Sequence, residues 1–580
     1  MKVTRNKAFN HYSVQLLIVV IIIIVVNIIG SYVFTRIDLT SEKRYTLSDA
    51  TLELLENVDD IVYFRVFLDG EFPAGFKRLR RETKELLDEF RAHNKNIQYE
   101  FINPSSSESV QERNDTYQLL VEQGLNPTNL QVKTKGGLDQ QVIFPGALVS
   151  YQNNEMPIEL LDAQINASPE AALNNSIQNL EFKFASVISR LINRSKPKIA
   201  FIEGNGELDD QETYDITLSL QDNYVVDRLE IDGKINSLVV RSLIDSVNQE
   251  YRIEPKYDAI IIAKPDSIYS PKDRFIIDQY IMYGGKVLWL LDPVFASMDS
   301  IQSKENTVSI ENNLDLQGQL FNYGVRLNRD LVLDLNGLPI PIRTGQVGGQ
   351  AQIDFFPWFY FPVIMPTSKH PIVKNLNAIK TQFVSSIDTI SVKGLKKTIL
   401  LKTSDYSKTE AVPSMISLRL LTSDPDIREY PGPPRAIAVL LEGVFQSDFR
   451  NRLPQAIITD KEIGFRDKSV PTSMIVVSDG DIIRNQFHIP KGYPLPLGFD
   501  QFTGETFGNK DFILNAMNFL TDGPGIISLR SREMKLRLLD KTKISSDRVI
   551  WQLINLLVPV IFVLVIGVLL VWLRKRKYSR

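Results

Sequence analysis

Two long apolar runs, one near each end, constrain this chain more than anything that lies between them. The first, VQLLIVVIIIIVVNIIG from Val14 to Gly30, has only Gln15 and Asn27 as polar residues. Extended to about Phe34, it reaches the roughly 20 residues a helix needs to cross a hydrocarbon core ~30 Å thick. Gly30-Ser31-Tyr32-Val33-Phe34 is a poor small-x-small cleavage site, so residues 13–34 read as an uncleaved signal anchor behind a short tail, 1–12. The second run, VIWQLINLLVPVIFVLVIGVLLVWL from Val549 to Leu573, contains no charge and can span with some tilt. Trp551 and Trp572 sit near its ends, where indoles favour the membrane interface, and Arg574, Lys575, Arg576 and Lys577 follow in the tail 574–580. Pro559 is tolerated inside such a helix and can kink it.

Two spans place both termini on one side. The tails supply eight Lys/Arg, and the inner flanks supply eight more: Arg36, Lys43, Arg44, Lys535, Arg537, Lys541, Lys543 and Arg548. The charge count therefore ties. Long domains cross largely regardless of charge, so the short tails decide, and they point to the cytoplasm. Residues 526–548 read as a basic juxtamembrane linker, which either meets anionic headgroups or is simply solvated.

Composition narrows the chemistry. The chain has no cysteine, which rules out thiol nucleophiles, thiolate metal sites and disulfides. The net charge of −3 includes two tails that carry basic residues and no acid, so the intervening region is distinctly acidic. Such a surface is a poor partner for nucleic acid, whose binding rests on neutralising phosphates.

Residues 35–193 read as a first α/β domain. Ser48 caps a helix over 49–57, IVYFRVFL (61–68) and IQYEFINP (97–104) are strands, and 77–94 is an amphipathic helix between them, a βαβ unit. A helix over 109–123, strands near 130–133, 142–150 and 156–161, and a helix over about 169–193 complete it. Residues 194–525 read as a larger, doubly wound domain. KIAFIEG (198–204), DAIIIAKP (258–265) and KVLWLLDP (286–293) are near-continuous apolar strands, which suits a parallel sheet covered on both faces. Ser270-Pro271-Lys272-Asp273 starts a helix that stops at Gly284-Gly285. Later pieces at 436–443, 473–483 and 509–520 can rejoin that sheet. The stretch 300–430 reads as a loop-rich insertion. Within it, NGLPIPIRTGQVGGQAQ (336–352) is expected to be flexible and polar, and the alternating aromatics and prolines of FFPWFYFP (355–362) to resist regular structure.

No phosphate-binding P-loop, H-E-x-x-H pair or Gly-x-Ser-x-Gly elbow is present, and His11, His93, His370 and His488 are scattered. No metal or cofactor is expected, and no catalytic residue. Two strand-end loops are the candidate ligand contacts. One holds Glu203, Asn205 and Glu207 around Gly204 and Gly206, where open α/β sheets bind ligands. The other holds Asp479 and Asp481, with Asp292 at a third strand end. Paired acids there can hold a metal or act as acid and base, although Asp-Gly is also ordinary turn chemistry. Phe355, Phe356, Trp358, Phe359, Tyr360 and Phe361 either pack on the core or form an exposed patch for a partner.

The signal anchor, Asp38–Ser48 (DLTSEKRYTLS), the FIEGNGE loop (201–207), the SDGD turn (478–481) followed by NKDFILNA (509–516), and the C-terminal span together resemble the GldG family. Its members are gliding-associated auxiliary proteins of an ABC transporter in Bacteroidota. The resemblance covers nearly the whole chain. It implies a second domain similar to that of an intraflagellar-transport protein and to glutamine amidotransferase-like domains. Amidotransferase chemistry needs a cysteine, so that activity does not carry over. The implied partners are a permease subunit, a cytoplasmic ATPase, membrane lipid and an envelope or motility-machinery partner, with two copies per complex. The implied location is a bacterial inner membrane, termini cytoplasmic and main domain periplasmic. The implied role is non-enzymatic, in gliding motility and also type IX secretion. The rival reading is a periplasmic receptor or envelope enzyme acting on a glycan or peptide.

Overall fold

The parallel strands of the central sheet form at the short apolar runs between the two terminal ones. In this computed structural model the described residues are 16–25, 46–134, 137–162, 168–192, 196–298, 301, 306–347, 350–421, 425–522, 525–531 and 546–578. The chain divides into a unit of residues 1–532 and a second of 533–580.

The first unit is mixed α/β. Its central sheet has nine strands. Five run parallel: Val225–Glu230, Lys198–Glu203, Ala259–Ala263, Lys286–Leu290 and Thr472–Val477, in that spatial order. Ala436–Gly443 continues the sheet antiparallel and pairs in turn with Leu395–Lys402 and Ile387–Thr389; Val325–Leu327 ends it. Every residue of Ala259–Ala263 is buried, because helices lie on both faces. On one face Ile216, Leu220, Phe512 and Met517 pack against Ile199, Ile261 and Ile475. On the other, Ile277, Tyr280, Ile281 and Tyr323 pack against Ile260, Trp289 and Val476. Ser270 caps the helix Pro271–Met282 by accepting from the Asp273 N–H, with proline at the first turn.

A smaller sheet precedes it. Val62–Val66 pairs parallel with Ile97–Phe101 and antiparallel with Gly146–Tyr151, which pairs with Asn154–Glu159. The crossover helix Ala74–His93 and the helix Pro169–Ile192 cover one face. Phe64 and Phe184 meet edge-to-face there, ring centroids 5.3 Å apart.

The region expected to be loop-rich is instead strand-rich. Gly337–Val347 and Gln350–Ile364 form a long antiparallel pair, so both the flexible-loop reading of 336–352 and the irregular reading of 355–362 are corrected. For 337–347 the reason is period-two alternation. Leu338 and Ile340 turn inward and are buried, while Pro339 and Pro341 fall at the alternate positions of an edge strand, where a missing N–H is tolerated. Trp358, Phe359, Tyr360 and Phe361 are all buried in one cluster with Leu331, Leu333 and Phe383. They are core residues and not the partner-contact surface. Phe355 is 51% exposed and Phe356 half-buried.

Six residues of the stretch 526–548, expected as a linker, are packed. Ile526–Ser531 is a 3-10 helix whose Ile527, Leu529 and Arg530 are buried. The Arg530 guanidinium donates to the Lys374 carbonyl at 2.9 Å and lies over the Phe182 ring. Residues 532–545 lie outside the described residues. In the second unit, Arg548–Tyr578 is one helix containing Pro559. Its stretch Arg548–Arg576 is long and apolar enough to cross a membrane, and Trp551 and Trp572 are exposed near its ends. Leu16–Val25 is a shorter apolar helix; the rest of the 13–34 span lies outside the described residues.

One buried cation gives a pH-dependent expectation. Lys380 is 5% exposed and its ammonium donates to the Phe499 carbonyl at 2.9 Å. Burial, partly offset by Asp500, lowers its pKa to about 8. An unfolded lysine titrates near ~10.4. Below the folded value both states are protonated and the cost of burying the charge is constant. Above it the unfolded chain holds the extra proton, so this residue makes stability rise with pH until the unfolded lysine also titrates. Denaturation curves of the full-length wild type and Lys380→Met across that window check this. Only the wild type should show the added slope, and identical slopes would refute it.

Candidate functional site

The carboxyl ends of the parallel strands form the site. The chain leaves Lys198–Glu203 toward Val225–Glu230 on one side and later returns to Ala259–Ala263 on the other. Loops therefore part at this switch point and leave a crevice outside the strand ends. It is a cleft of about 560 Å³, lined among others by Gly206, Lys264, Asp292, Asp481, Arg484 and Asn485.

Lys264 directly follows a fully buried strand and has φ of +53°, a conformation that costs a non-glycine residue about 1 kcal/mol or more. Its N–H donates to the Leu290 carbonyl at 2.8 Å. Its ammonium lies 3.1 Å from an Asp292 oxygen and also donates to Asp481. Asp292 accepts from the Gly480 N–H at 2.5 Å. A methyl group on Gly480 would meet the Lys264 Cβ at 2.5 Å, so glycine is what lets the two loops close on each other. Asp479 accepts from the N–H groups of Asp481 and Gln382 at 2.8 and 3.0 Å. Arg484 extends the chain of charges to Glu212, 2.7 Å away, and to Asp481, 3.5 Å away.

The electrostatics follow from burial and sign. Burial raises the Asp479 carboxyl well above its usual range, and the neighbouring Asp292 and Asp481 raise it further. Burial also raises Asp292, while Lys264 pulls it back. Burial alone would lower the Lys264 ammonium, but Asp292 and Asp481 outweigh it and hold the pKa above the ordinary lysine value. Among the described residues no group of three or more acid or histidine side chains could hold a metal; the Lys264 ammonium sits between Asp292 and Asp481.

The other three expected residues go elsewhere. Glu203 pairs with Arg228 at 2.5 Å, and Arg228 also donates to the Leu208 carbonyl at 2.6 Å, pinning the loop from its outer side. Glu207 accepts from the Tyr269 hydroxyl and, at 2.7 Å, from the Asn205 N–H. Its pKa is raised by burial against those hydrogen bonds. Asn205 donates to the Ile268 carbonyl at 3.1 Å. Asn205 and Glu207 tie the 203–208 loop to the 265–269 loop, and Glu203 ties it to Arg228. Asp292, Asp479 and Asp481 do converge. Lys264, Arg484, Asn485 and Glu212 were not singled out from the sequence. Lys264 had a signal there, being the first residue past a fully apolar strand; the other three had none.

A family described as an ABC-type uncharacterized transport system matches residues 196–516, more than half of the chain. The chain belongs to this family. In this ABC transport-associated protein a further domain of unknown function, DUF7088, matches residues 41–150, the part that carries most of the smaller sheet. No curated protein matches. Among solved structures, the mmIFT52 N-terminal domain is similar over 56% of this chain and 98% of its own, at 13% identity and a TM-score of 0.29. Family membership implies association with an ABC transporter complex, and the strand-end cleft lies wholly within the matched region.

Proposed function

We propose that this chain is a non-catalytic membrane subunit of an ABC transporter complex, of the GldG type. Its two terminal spans hold it in a bacterial inner membrane with both termini cytoplasmic, and its large α/β unit lies in the periplasm. There it couples the permease and ATPase to envelope partners in gliding motility and type IX secretion. Two copies per complex suit the paired halves of such machines. The observation that carries the reading is the family match over 196–516 in a chain whose Arg548–Arg576 helix is long enough to span a membrane. A non-catalytic role is supported by the strand-end charges, which are spent on one another: Lys264 on Asp292 and Asp481, Arg484 on Glu212. A coupling subunit also needs two states that the ATPase biases differently.

Purification in gentle detergent from the native membrane, with mass analysis of what stays bound, tests it. A permease and an ATPase are expected at fixed stoichiometry. A chain that comes off alone, or with envelope material only, refutes the reading.

A further inference from the structure

The hairpin of Gly337–Val347 and Gln350–Ile364 has one protected edge and one open edge. Pro339 stands opposite Pro357, Pro341 opposite Phe355 and Arg343 opposite Ile353. Two facing prolines cannot exchange hydrogen bonds, so Pro339 and Pro357 form a non-hydrogen-bonded pair whose backbone groups point away from each other. The register is unbroken from there to Arg343, so Phe355 and Ile353 share that parity. On the Gly337–Val347 side the outward positions fall on Pro339 and Pro341, which have no N–H to offer a further strand. On the other side they fall on Ile353 and Phe355, which do.

That second edge is covered only at its far end. The Thr381 and Phe383 N–H groups donate to the Pro362 and Tyr360 carbonyls at 3.1 and 2.9 Å, and Val363 pairs with Lys380. Before that point no strand lies beside it among the described residues. The outer half of the hairpin is also open to solvent: Arg343, Thr344 and Gln352 are exposed, and Ile353 is 56% exposed. No charge occurs between Arg343 and Asp354, and the Asp354 carboxylate accepts from the Thr344 hydroxyl and the Gln352 amide. An open edge whose outward positions carry neither charge nor proline is a template for another strand.

We propose that this edge pairs antiparallel with the same edge of a second copy of the chain, centred on Ile353. In that register Ile353 meets Ile353 of the second copy and Phe355 meets its Ala351, so the outward N–H groups of Ile353 and Phe355 each find a carbonyl. Asp354 falls opposite Gln352 of the second copy, an amide donor. Centring on Phe355 would set Ile353 against Pro357, which cannot donate, and centring on Asp354 would set two carboxylates opposite each other. The same patch on both copies satisfies a two-fold axis. So short a pairing buries less than the ~1,200 Å² of a stable interface. It forms between copies already held in one membrane complex, where the effective concentration is high. The contact therefore rests on the two-copy part of the transporter reading.

Two differently tagged full-length chains, co-expressed and purified through one tag in gentle detergent, first establish the second copy. Single-cysteine variants in native membranes under a mild oxidant then read the contact, because the chain has no cysteine of its own. Facing residues of a hydrogen-bonded antiparallel pair lie about 5.5 Å apart at Cα, inside the roughly 4.4–6.8 Å that a disulfide bridges. Ile353→Cys should therefore join two copies. Phe355→Cys and Arg343→Cys, also at exposed positions, lie about 14 Å from their counterparts by strand rise and spacing and should join them at least about fivefold less. Adding Phe355→Pro to Ile353→Cys removes an N–H that the hairpin itself does not use, and should cut the joining several-fold. Arg343→Cys joining as well as Ile353→Cys, or no joining by Ile353→Cys while both tagged chains co-purify, overturns the edge contact and leaves the two-copy reading intact. Ile353→Cys joined to a different chain overturns it as well. Absence of the second tagged chain refutes the two-copy reading and the contact with it.

Discussion

Replacing Lys264 by methionine is expected to destabilise the protein by about 3 kcal/mol at neutral pH, the scale of removing one partner from a buried ion pair. The ammonium is the shared counter-charge of Asp292 and Asp481, whose side chains are 13% and 7% exposed. Without it Asp292 faces a low-dielectric site uncompensated, and Asp481 keeps only Arg484, 3.5 Å away. The pH dependence has a definite sign. Asp292 already titrates above its ordinary value because of burial, and Lys264 is what restrains it. Removing Lys264 moves the folded pKa further above the unfolded one. The folded variant then holds a proton that the unfolded chain has released, so its stability falls as pH rises through that window. The deficit should therefore be full at neutral pH and small near pH ~4, where unfolded aspartates themselves take up protons. Adding Asp292→Asn and Asp481→Asn to Lys264→Met should recover much of the loss, because no orphan charge remains. Chemical denaturation of the full chain at the two pH values decides it. Equal stabilities of wild type and single variant at neutral pH would show that the cluster is solvated and not a buried network.

Trp358→Ala carries a comparable cost, about 3–5 kcal/mol, as expected for emptying a fully buried indole site. The ring is 0% exposed, its centroid lies 5.2 Å from that of Tyr360, and its Nε1 has no hydrogen-bond partner. It is held by packing alone, so Trp358→Phe should lose far less than the alanine. Phe355, three residues earlier on the same strand, is 51% exposed, and Phe355→Ala should stay within about 0.5 kcal/mol. The contrast in denaturation midpoints separates a core strand from a surface patch. Similar losses at both positions would mean that Phe355 is also covered.

These two cases mark where the sequence was legible. The strands Lys198–Glu203, Ala259–Ala263 and Lys286–Leu290 were readable because parallel strands buried on both faces must be apolar throughout. The helix at Pro271 was readable because its cap is written locally, Ser270 to Asp273. The aromatic block was misread because prolines at 357 and 362 argue against a strand, and only its pairing with 337–347 shows that they fall where the ladder tolerates them.

The candidate site divides along the same line. Asp292, Asp479 and Asp481 could be picked from the sequence because a strand end is a local property, and local order also fixes Gly204 and Gly206 in a turn. Glu203, Asn205 and Glu207 were equally visible as loop residues, but whether a carboxylate faces a cleft or a neighbouring hydroxyl depends on what the next loop brings. Here Tyr269 and Arg228 claimed two of them. Lys264 and Asp481 stand 217 residues apart in the chain, and no periodicity encodes that pairing. Composition and short-range pattern are enough to read the apolar C-terminal helix, the absence of thiol chemistry and the buried parallel strands. Which charges neutralise one another follows only from the fold, because strand order brings together loops far apart in the chain.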